Sequence, residues 1–341
     1  MMRAAYIEQL GPPENIQYGP VPDPRPGPTD VLVDVAATTV NPVDTFVRSG
    51  LYRTPVEFPF VIGRDLVGTV AEAGPGAAGF REGDAVWCNS LGHGGRQGAA
   101  AERAVVPADR LYHLPAGATA EDAVAVAHPA GTAYLALFPH GGLSAGETVV
   151  VEGAAGNVGS AIVTMALRAG ARVVATASAA DHLYCKALGA DEVIDYRDPD
   201  SARLLGAACP RGADLYLDTS GNNDLDRAIT LLAPRGRIVL LAGVRAEPVL
   251  PVGRLYMNDS SIRGFVISHA TTAELAAAAR VINQLLADGT LRPRAVEQRP
   301  LSAARETHDR MERGELHGTR VVLRTPATEA TATRHAPEAG H

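Results

Sequence analysis

Residues Thr148 to Gly159 read Thr-Val-Val-Val-Glu-Gly-Ala-Ala-Gly-Asn-Val-Gly, and no other twelve positions restrict the possible folds as strongly. Val149, Val150 and Val151 are β-branched and uninterrupted by polar residues, as a strand buried on both faces requires. The run then passes through glycines 153, 156 and 159 into an apolar helix expected over 160–169. In such a turn Gly156 lets the backbone approach a pyrophosphate and Gly159 lets the helix pack close to the sheet, while the helix N-terminal N–H groups face the anion. Ala154 stands where the strict G-x-G-x-x-G pattern has its first glycine. Turns produce glycines often, so the pattern means little alone. Its context decides, because a second apolar strand, Arg172 to Ala177, follows one helix later as a β-α-β unit demands.

The alternation continues. Strands are expected at 192–195, 214–218, 237–241 and 262–267, which with the first two make six parallel strands. Apolar positions at helical spacing mark 180–188, 225–232 and 273–287, with Gly189, Gly236 and Gly289 placed to end those helices. Open parallel sheets bind ligands at the carboxyl ends of their strands, so the loops beginning at Gly153, Ser178, Ser220, Gly243 and Ser268 are expected to line one crevice. The second strand ends in Thr176-Ala177-Ser178. A carboxylate there would accept the ribose 2′-hydroxyl of NAD, but the first is Asp181, whose simpler reading is a cap for the next helix, and the pattern therefore points to NADP(H). His182, Lys186 and Arg197 are the nearest basic groups.

With 341 residues, 46% apolar and 20% charged, two domains and a sizeable core are expected. The longest apolar runs are strand-length and Met-Met-Arg opens no signal-peptide pattern, so no membrane partner is expected. A net charge of -7 argues against nucleic acid as a main partner. Cys88, Cys185 and Cys209 are too far apart for a C-x-x-C site or a disulfide framework, which suits a cytoplasmic protein. Before about residue 125 the chain changes character: short strands such as 31–35 and 66–71 are separated by Pro and Gly, as in an antiparallel, barrel-like domain. A further strand at 319–323 is placed to return to that domain, and 325–341 is expected to be a disordered tail.

Several motifs now occur in one order: Asn41-Pro42-Val43-Asp44, Arg48-Ser49-Gly50-Leu51-Tyr52, Gly63-Arg64-Asp65-Leu66-Val67-Gly68, Gly83-Asp84-Ala85-Val86, Gly131-Thr132-Ala133-Tyr134 and the 153–159 turn. Across residues 3–324 the chain resembles the medium-chain dehydrogenase/reductase superfamily, and within it the zinc-independent quinone oxidoreductase (zeta-crystallin-like) family. The resemblance implies an α/β fold in which a GroES-like β-barrel-type catalytic domain, 1–125 and 290–324, is split around a Rossmann doubly wound parallel sheet, 126–289. It also implies NADPH as hydride donor and a homodimer or homotetramer. By resemblance, Asn41 and Thr132 lie beside the nicotinamide ring and Tyr52, Arg48 and Arg64 near the substrate mouth, with Asn41, Tyr52 and Arg64 as the catalytic candidates. Gly153, Ala154, Gly156, Asn157, Val158 and Gly159 would hold the pyrophosphate. Thr176, Ser178, His182 and Tyr196 would meet the adenosine half, and Ser220, Ala242, Gly243, Val266 and Ile267 would line the remaining loops. Each candidate also has a plainer reading: Asn41 before Pro42 shapes a turn, Tyr52 packs, and Arg48 and Arg64 are solvated or ion-paired.

The departures matter. Alcohol dehydrogenases of this superfamily hold catalytic zinc with a Cys near the position of Asn41 and a His directly after the glycine at Gly63; this chain has Asn41 and Arg64, and no four-cysteine lobe. Cys88 and His93 lack partners at ligand spacing, so no metal is expected. Many quinone oxidoreductase relatives carry Tyr where this chain has Phe46, which donates no proton, leaving Tyr52 or Tyr134 as phenolic acids. Relatives often follow Thr-Ala-Ser with Arg or Lys for the 2′-phosphate, where this chain has Ala179-Ala180. Three functions stay open: NADPH-dependent reduction of quinones or α,β-unsaturated carbonyls, enoyl reduction of polyketide or acyl-thioester intermediates, and NADPH binding for a sensor or structural role.

Overall fold

The valine run forms the strand Thr148–Glu152, buried from its second residue onward, at the centre of a six-stranded parallel sheet. The neighbours in space are Glu192–Asp195, Arg172–Ala177, Thr148–Glu152, Ala213–Asp218, Leu232–Leu240 and Ser261–Gly264, so the chain order across the sheet is 3-2-1-4-5-6. Order reverses between the first and fourth strands, the point at which open α/β sheets leave a crevice. These strands lie in one of two units into which the chain divides, Pro129–Glu274. The other comprises Met1–His128 and the chain from Leu275 onward. The structure, a computed structural model, describes residues 1–326.

The expected strands and helices of the sheet unit form, with two corrections. Gly236 ends no helix: the helix Leu225–Leu231 stops earlier, and Gly236 lies in the strand Leu232–Leu240, where a Cβ would stand 2.8 Å from the Ala213 carbonyl oxygen. Close approach of two strands, not a helix cap, requires that glycine. The last strand ends at Gly264, so Phe265 and Val266 fall outside it and Ile267 opens a 3-10 turn, Ile267–His269.

In the other unit the strand Asp30–Thr39 is the organiser. One edge pairs antiparallel with Leu66–Ala73. Its other edge is shared between Arg103–Pro107 at residues 30–34 and the late strand Thr319–Arg324 at residues 37–39. The chain's last described strand thus completes the sheet begun by its early residues. The helix Thr272–Ala287 spans the division between the units, and its Asn283 accepts a hydrogen bond from Trp87 Nε1 at 2.9 Å while donating to the His113 carbonyl at 3.1 Å. These bonds assign the helix's later turns to the unit of Trp87, earlier in the chain than residue 290.

Most of the expected tail lies outside the described residues. Its first residue is ordered: Thr325 is buried and its hydroxyl donates to the Val35 carbonyl at 2.7 Å. No helix among the described residues is long and apolar enough to cross a membrane.

Candidate active site

In the sheet unit, backbone geometry makes the site. Gly153 adopts φ +73°, and a Cβ there would meet Thr219 Oγ1 at 2.7 Å. A Cβ on Gly159 would stand 2.2 Å from the Gly153 carbonyl oxygen, so the close packing of helix Asn157–Arg168 on the turn demands that glycine. Gly156 is different. A Cβ on it would meet one protein atom, the Gly153 oxygen at 3.3 Å, and Gly156 is the N-cap of a helix that no side chain caps. The N–H groups of Asn157, Val158 and Gly159 in that first turn precede the first i→i−4 bond, Ser160 N to the Gly156 carbonyl at 2.9 Å. Such a cradle fits a dinucleotide pyrophosphate.

The other expected loops gather at the same strand ends. Thr219 Oγ1 donates to the Glu152 carbonyl at 2.7 Å, and Asn223 Nδ2 donates to the Ala242 carbonyl at 3.1 Å. A Cβ on Gly221 would meet Gly243 N at 2.8 Å. Asp218, 1% exposed, fixes the Ser220 loop by accepting from Ser220 N (2.7 Å), Ser220 Oγ (2.7 Å), Gly221 N (3.0 Å) and Asn223 N (2.6 Å). At the end of the second strand Ser178 Oγ donates to Asp181 Oδ2 at 2.7 Å, and the Asp181 carboxylate is buried. Asp181 therefore closes its own turn. Tyr196 N donates to the Ala177 carbonyl at 3.4 Å, Arg197 lies 5.2 Å over the Tyr196 ring, and His182 Nε2 is buried without a hydrogen-bond partner among the described residues. Thr176 and Ala154 are buried in the framework, and the part-exposed Thr132 sits on the helix Ala120–Leu135.

In the other unit, side chains make the site. Asn41 is the N-cap of the helix Pro42–Ser49, with Pro at the first helical position and Asp44 closing a capping box onto Asn41 N at 2.8 Å. Its amide Nδ2 donates to Asp65 Oδ2 at 2.8 Å and Asp44 Oδ2 at 3.2 Å, and its Oδ1 accepts from Arg320 Nη2 at 3.0 Å. Asp65, fully buried, also accepts from Thr39 Oγ1 at 2.7 Å and faces Arg320 at 3.7 Å and His128 at 3.5 Å. Burial pushes the Asp65 carboxyl up, but His128, Arg320 and Asn41 outweigh it and hold the group below the usual carboxylate range. Asp44 has the opposite balance: burial, only partly offset by Arg64, pushes it up to about 6.

Arg64 is 1% exposed and faces Asp44 at 3.6 Å, beyond hydrogen-bond distance; its Nε and Nη2 have no acceptor among the described residues. His93 lies between Arg64 Nη1 (3.3 Å) and Arg96 Nη2 (3.1 Å). Arg96 can only donate, so His93 Nε2 accepts and Nδ1–H donates to the Leu91 carbonyl at 3.1 Å. Burial and the flanking guanidiniums push the His93 pKa down to about 3. The Tyr52 ring packs against the apolar cluster around Ile7 and Phe60. Arg48 is buried: it donates to the Gly11 carbonyl and pairs with Glu312, which makes it a clamp between the helices Pro42–Ser49 and Ala304–Glu312.

This donor set does not fit a zinc ion. Among the described residues no three His, Cys, Asp or Glu stand together as metal ligands. His93 is held neutral between two cations, and burial pushes the Cys88 thiol up to about 11.

The comparisons agree with both halves. A model of the alcohol dehydrogenase GroES-like domain matches residues 27–116, and one of zinc-binding dehydrogenases matches 157–284. The quinone oxidoreductase of Mus musculus is 30% identical over 327 residues, 94% of this chain and 95% of that protein. The chain belongs to the quinone oxidoreductase family of the medium-chain dehydrogenases/reductases. A quinone oxidoreductase of Pseudomonas syringae pv. tomato superposes with a TM-score of 0.84 at 26% identity, covering 95% of this chain and 100% of that one. A mycobacterial protein solved in complex with NADPH gives 0.82 at 29% identity, with coverage of 95% and 100%. Family membership makes the protein an oxidoreductase of the nicotinamide-cofactor class.

Sequence reasoning missed Asp44, Asp65 and Arg320 in the side-chain site and Asp218 beneath the Ser220 loop. Asp44 had a signal, the N-x-x-D spacing of a capping box, and Asp218 had another, an acid two residues before Ser220 at a strand end. Arg320 had none, since it reaches Asn41 across 279 residues of chain.

Proposed function

We propose that the protein reduces quinones or α,β-unsaturated carbonyl compounds with NADPH and without a metal, in the cytoplasm. The observation that carries this reading is the buried guanidinium directly after Gly63, with neutral His93 beside it: a set that offers a cation no ligands. The substrate must then delocalise the incoming negative charge itself, as a quinone or conjugated carbonyl does. Bound NADPH supplies the hydride. The N–H groups of Asn157, Val158 and Gly159 hold its pyrophosphate, and the exposed Arg197 is the donor available to a 2′-phosphate, because the Ser178 hydroxyl already donates to Asp181 and the His182 Nε2 is buried. Asn41, fixed by Asp44, Asp65 and Arg320, gives the substrate side a rigid edge, and Arg64 stabilises negative charge on the substrate oxygen. Tyr52, Tyr134 or water returns the proton.

A homodimer or homotetramer is part of the same reading. Among the described residues the strand Ser261–Gly264 is paired on one edge alone, and Val249, Met257 and Tyr256 nearby in sequence are 87%, 76% and 66% exposed.

The test is a screen of NADPH and NADH oxidation against quinones, enones, enoyl thioesters and, in reverse, saturated alcohols. Quinone or enone turnover with NADPH is expected. Turnover confined to thioesters, or alcohol oxidation, would replace the reading.

A further inference from the structure

Two acids stand side by side beneath the phosphate turn. Glu152, the residue before Gly153, is in register with Asp218 on the fourth strand, so both carboxyl groups lie at the point where strand order reverses. An anion site with two carboxylates in its floor opposes its own ligand unless each is compensated. Asp218 is compensated by three backbone N–H groups and the Ser220 hydroxyl. Glu152, 4% exposed, has no such set. Its cationic partner is Arg227, at the third position of the helix Leu225–Leu231, whose N-cap Asp224 accepts from Arg227 N at 3.0 Å and so fixes where that side chain begins.

We propose that Arg227 is a positioning residue for the dinucleotide: it neutralises the Glu152 carboxylate, so that the uncapped N-terminus of helix Asn157–Arg168 meets a pyrophosphate without a competing negative charge. The inference rests on the nicotinamide-cofactor reading of that turn. The groups facing Glu152 are few. Tyr216 and Asp218 face it from the fourth strand, Asp224 and Arg227 from the helix after it, and the uncharged Thr176 is its register partner on the second strand. Arg227 is the one cation of that set. Burial pushes the Glu152 pKa up, Tyr216 and then Arg227 restrain it, and Arg227 is the restraint that carries a charge, so its loss moves the pKa further up. An uncompensated unit charge near a bound anion, at an effective dielectric of about 20, changes affinity by roughly tenfold.

The experiment measures NADPH affinity by fluorescence titration of wild type, Arg227→Gln and the double variant Glu152→Gln/Arg227→Gln, each at pH about 8.5 and about 6, with circular dichroism to confirm folding. Taken as ratios to wild type, Arg227→Gln is expected to bind about tenfold more weakly at the higher pH and to recover part of that loss at the lower, toward which the raised Glu152 pKa shifts the acid's neutral form. The double variant is expected within about twofold of wild type at both. A loss that is independent of pH, a double variant as weak as Arg227→Gln, or an Arg227→Gln protein that binds normally would overturn the inference. Wild-type protein that binds neither NADPH nor NADH would overturn the cofactor reading beneath it.

Discussion

The parallel-sheet unit and the unit organised by Asp30–Thr39 carry their chemistry in different materials. In the sheet unit the cradle is backbone: one glycine turn, one helix N-terminus and loops locked by short-range bonds such as those of Asp218. In the other, the candidate site is side chains, and its central acid, Asp65, is held by residues from positions 39, 41, 128 and 320. A backbone site tolerates side-chain change and fails on a misplaced Cβ. A side-chain site fails when one buried charge loses its partner.

Arg320→Met leaves Asp65 buried and short of its cation, and is expected to destabilise the protein by about 3–5 kcal/mol in urea denaturation. A loss below about 1 kcal/mol would mean that the side-chain cluster is not interdependent. Gly159→Ala drives a Cβ into the Gly153 oxygen and is expected to cost about 3 kcal/mol, whereas Gly156→Ala is expected to stay within about 1 kcal/mol of wild type in stability while weakening dinucleotide binding about tenfold. Equal stability losses at the two glycines would erase the distinction between the residue the fold needs and the one the ligand needs.

Acid sensitivity belongs to the side-chain unit as well. His308 is 1% exposed with neither ring nitrogen partnered among the described residues, and burial beside Arg48 pushes its pKa from the ordinary 6.5 down to about 3. The fold therefore holds the neutral ring: its contribution is intact above about 6.5 and is lost as pH falls toward about 3. His93 acts with the same sign. Asp44 acts with the other, since a carboxyl raised from 3.8 to about 6 favours the fold below its unfolded value and loses that contribution as pH rises through about 6. His308→Leu isolates one ring: the stability lost between pH 7 and pH 5 is expected to shrink by about 2 kcal/mol. Denaturation curves with the same pH slope as wild type would show that His308 is not the acid-sensitive group.

The smallest effect expected is kinetic. Asn41→Ala is expected to lower turnover of a quinone or enone tenfold or more, about 1.4 kcal/mol, because it releases Asp44 and Asp65 together, with Tyr52→Phe costing less. Unchanged kinetics in Asn41→Ala for a demonstrated enone substrate would remove this cluster from the reaction.

The same contrast explains what could be read in advance. The sheet unit was legible because its signals are local: three valines, glycines at fixed spacing and a second strand one helix later predict a β-α-β unit before any long-range contact is known. Gly236 shows the limit, since a strand-packing glycine and a helix-ending glycine look alike until the Ala213 carbonyl is in place. Arg48 and Arg64 show it more sharply. Both are arginines near motif positions, yet one is neutralised by Glu312 on a helix from the far end of the chain and the other is left facing Asp44 with its Nε and Nη2 lacking an acceptor among the described residues. Only tertiary contacts separate them.

The proposed reaction needs no metal at the buried Arg64, His93 and Cys88. The direct measurement is elemental analysis of the purified protein together with NADPH-dependent quinone or enone turnover before and after dialysis against a chelator. Less than stoichiometric zinc and undiminished turnover are expected. One zinc per chain, lost together with the activity and restored with it, would contradict that expectation.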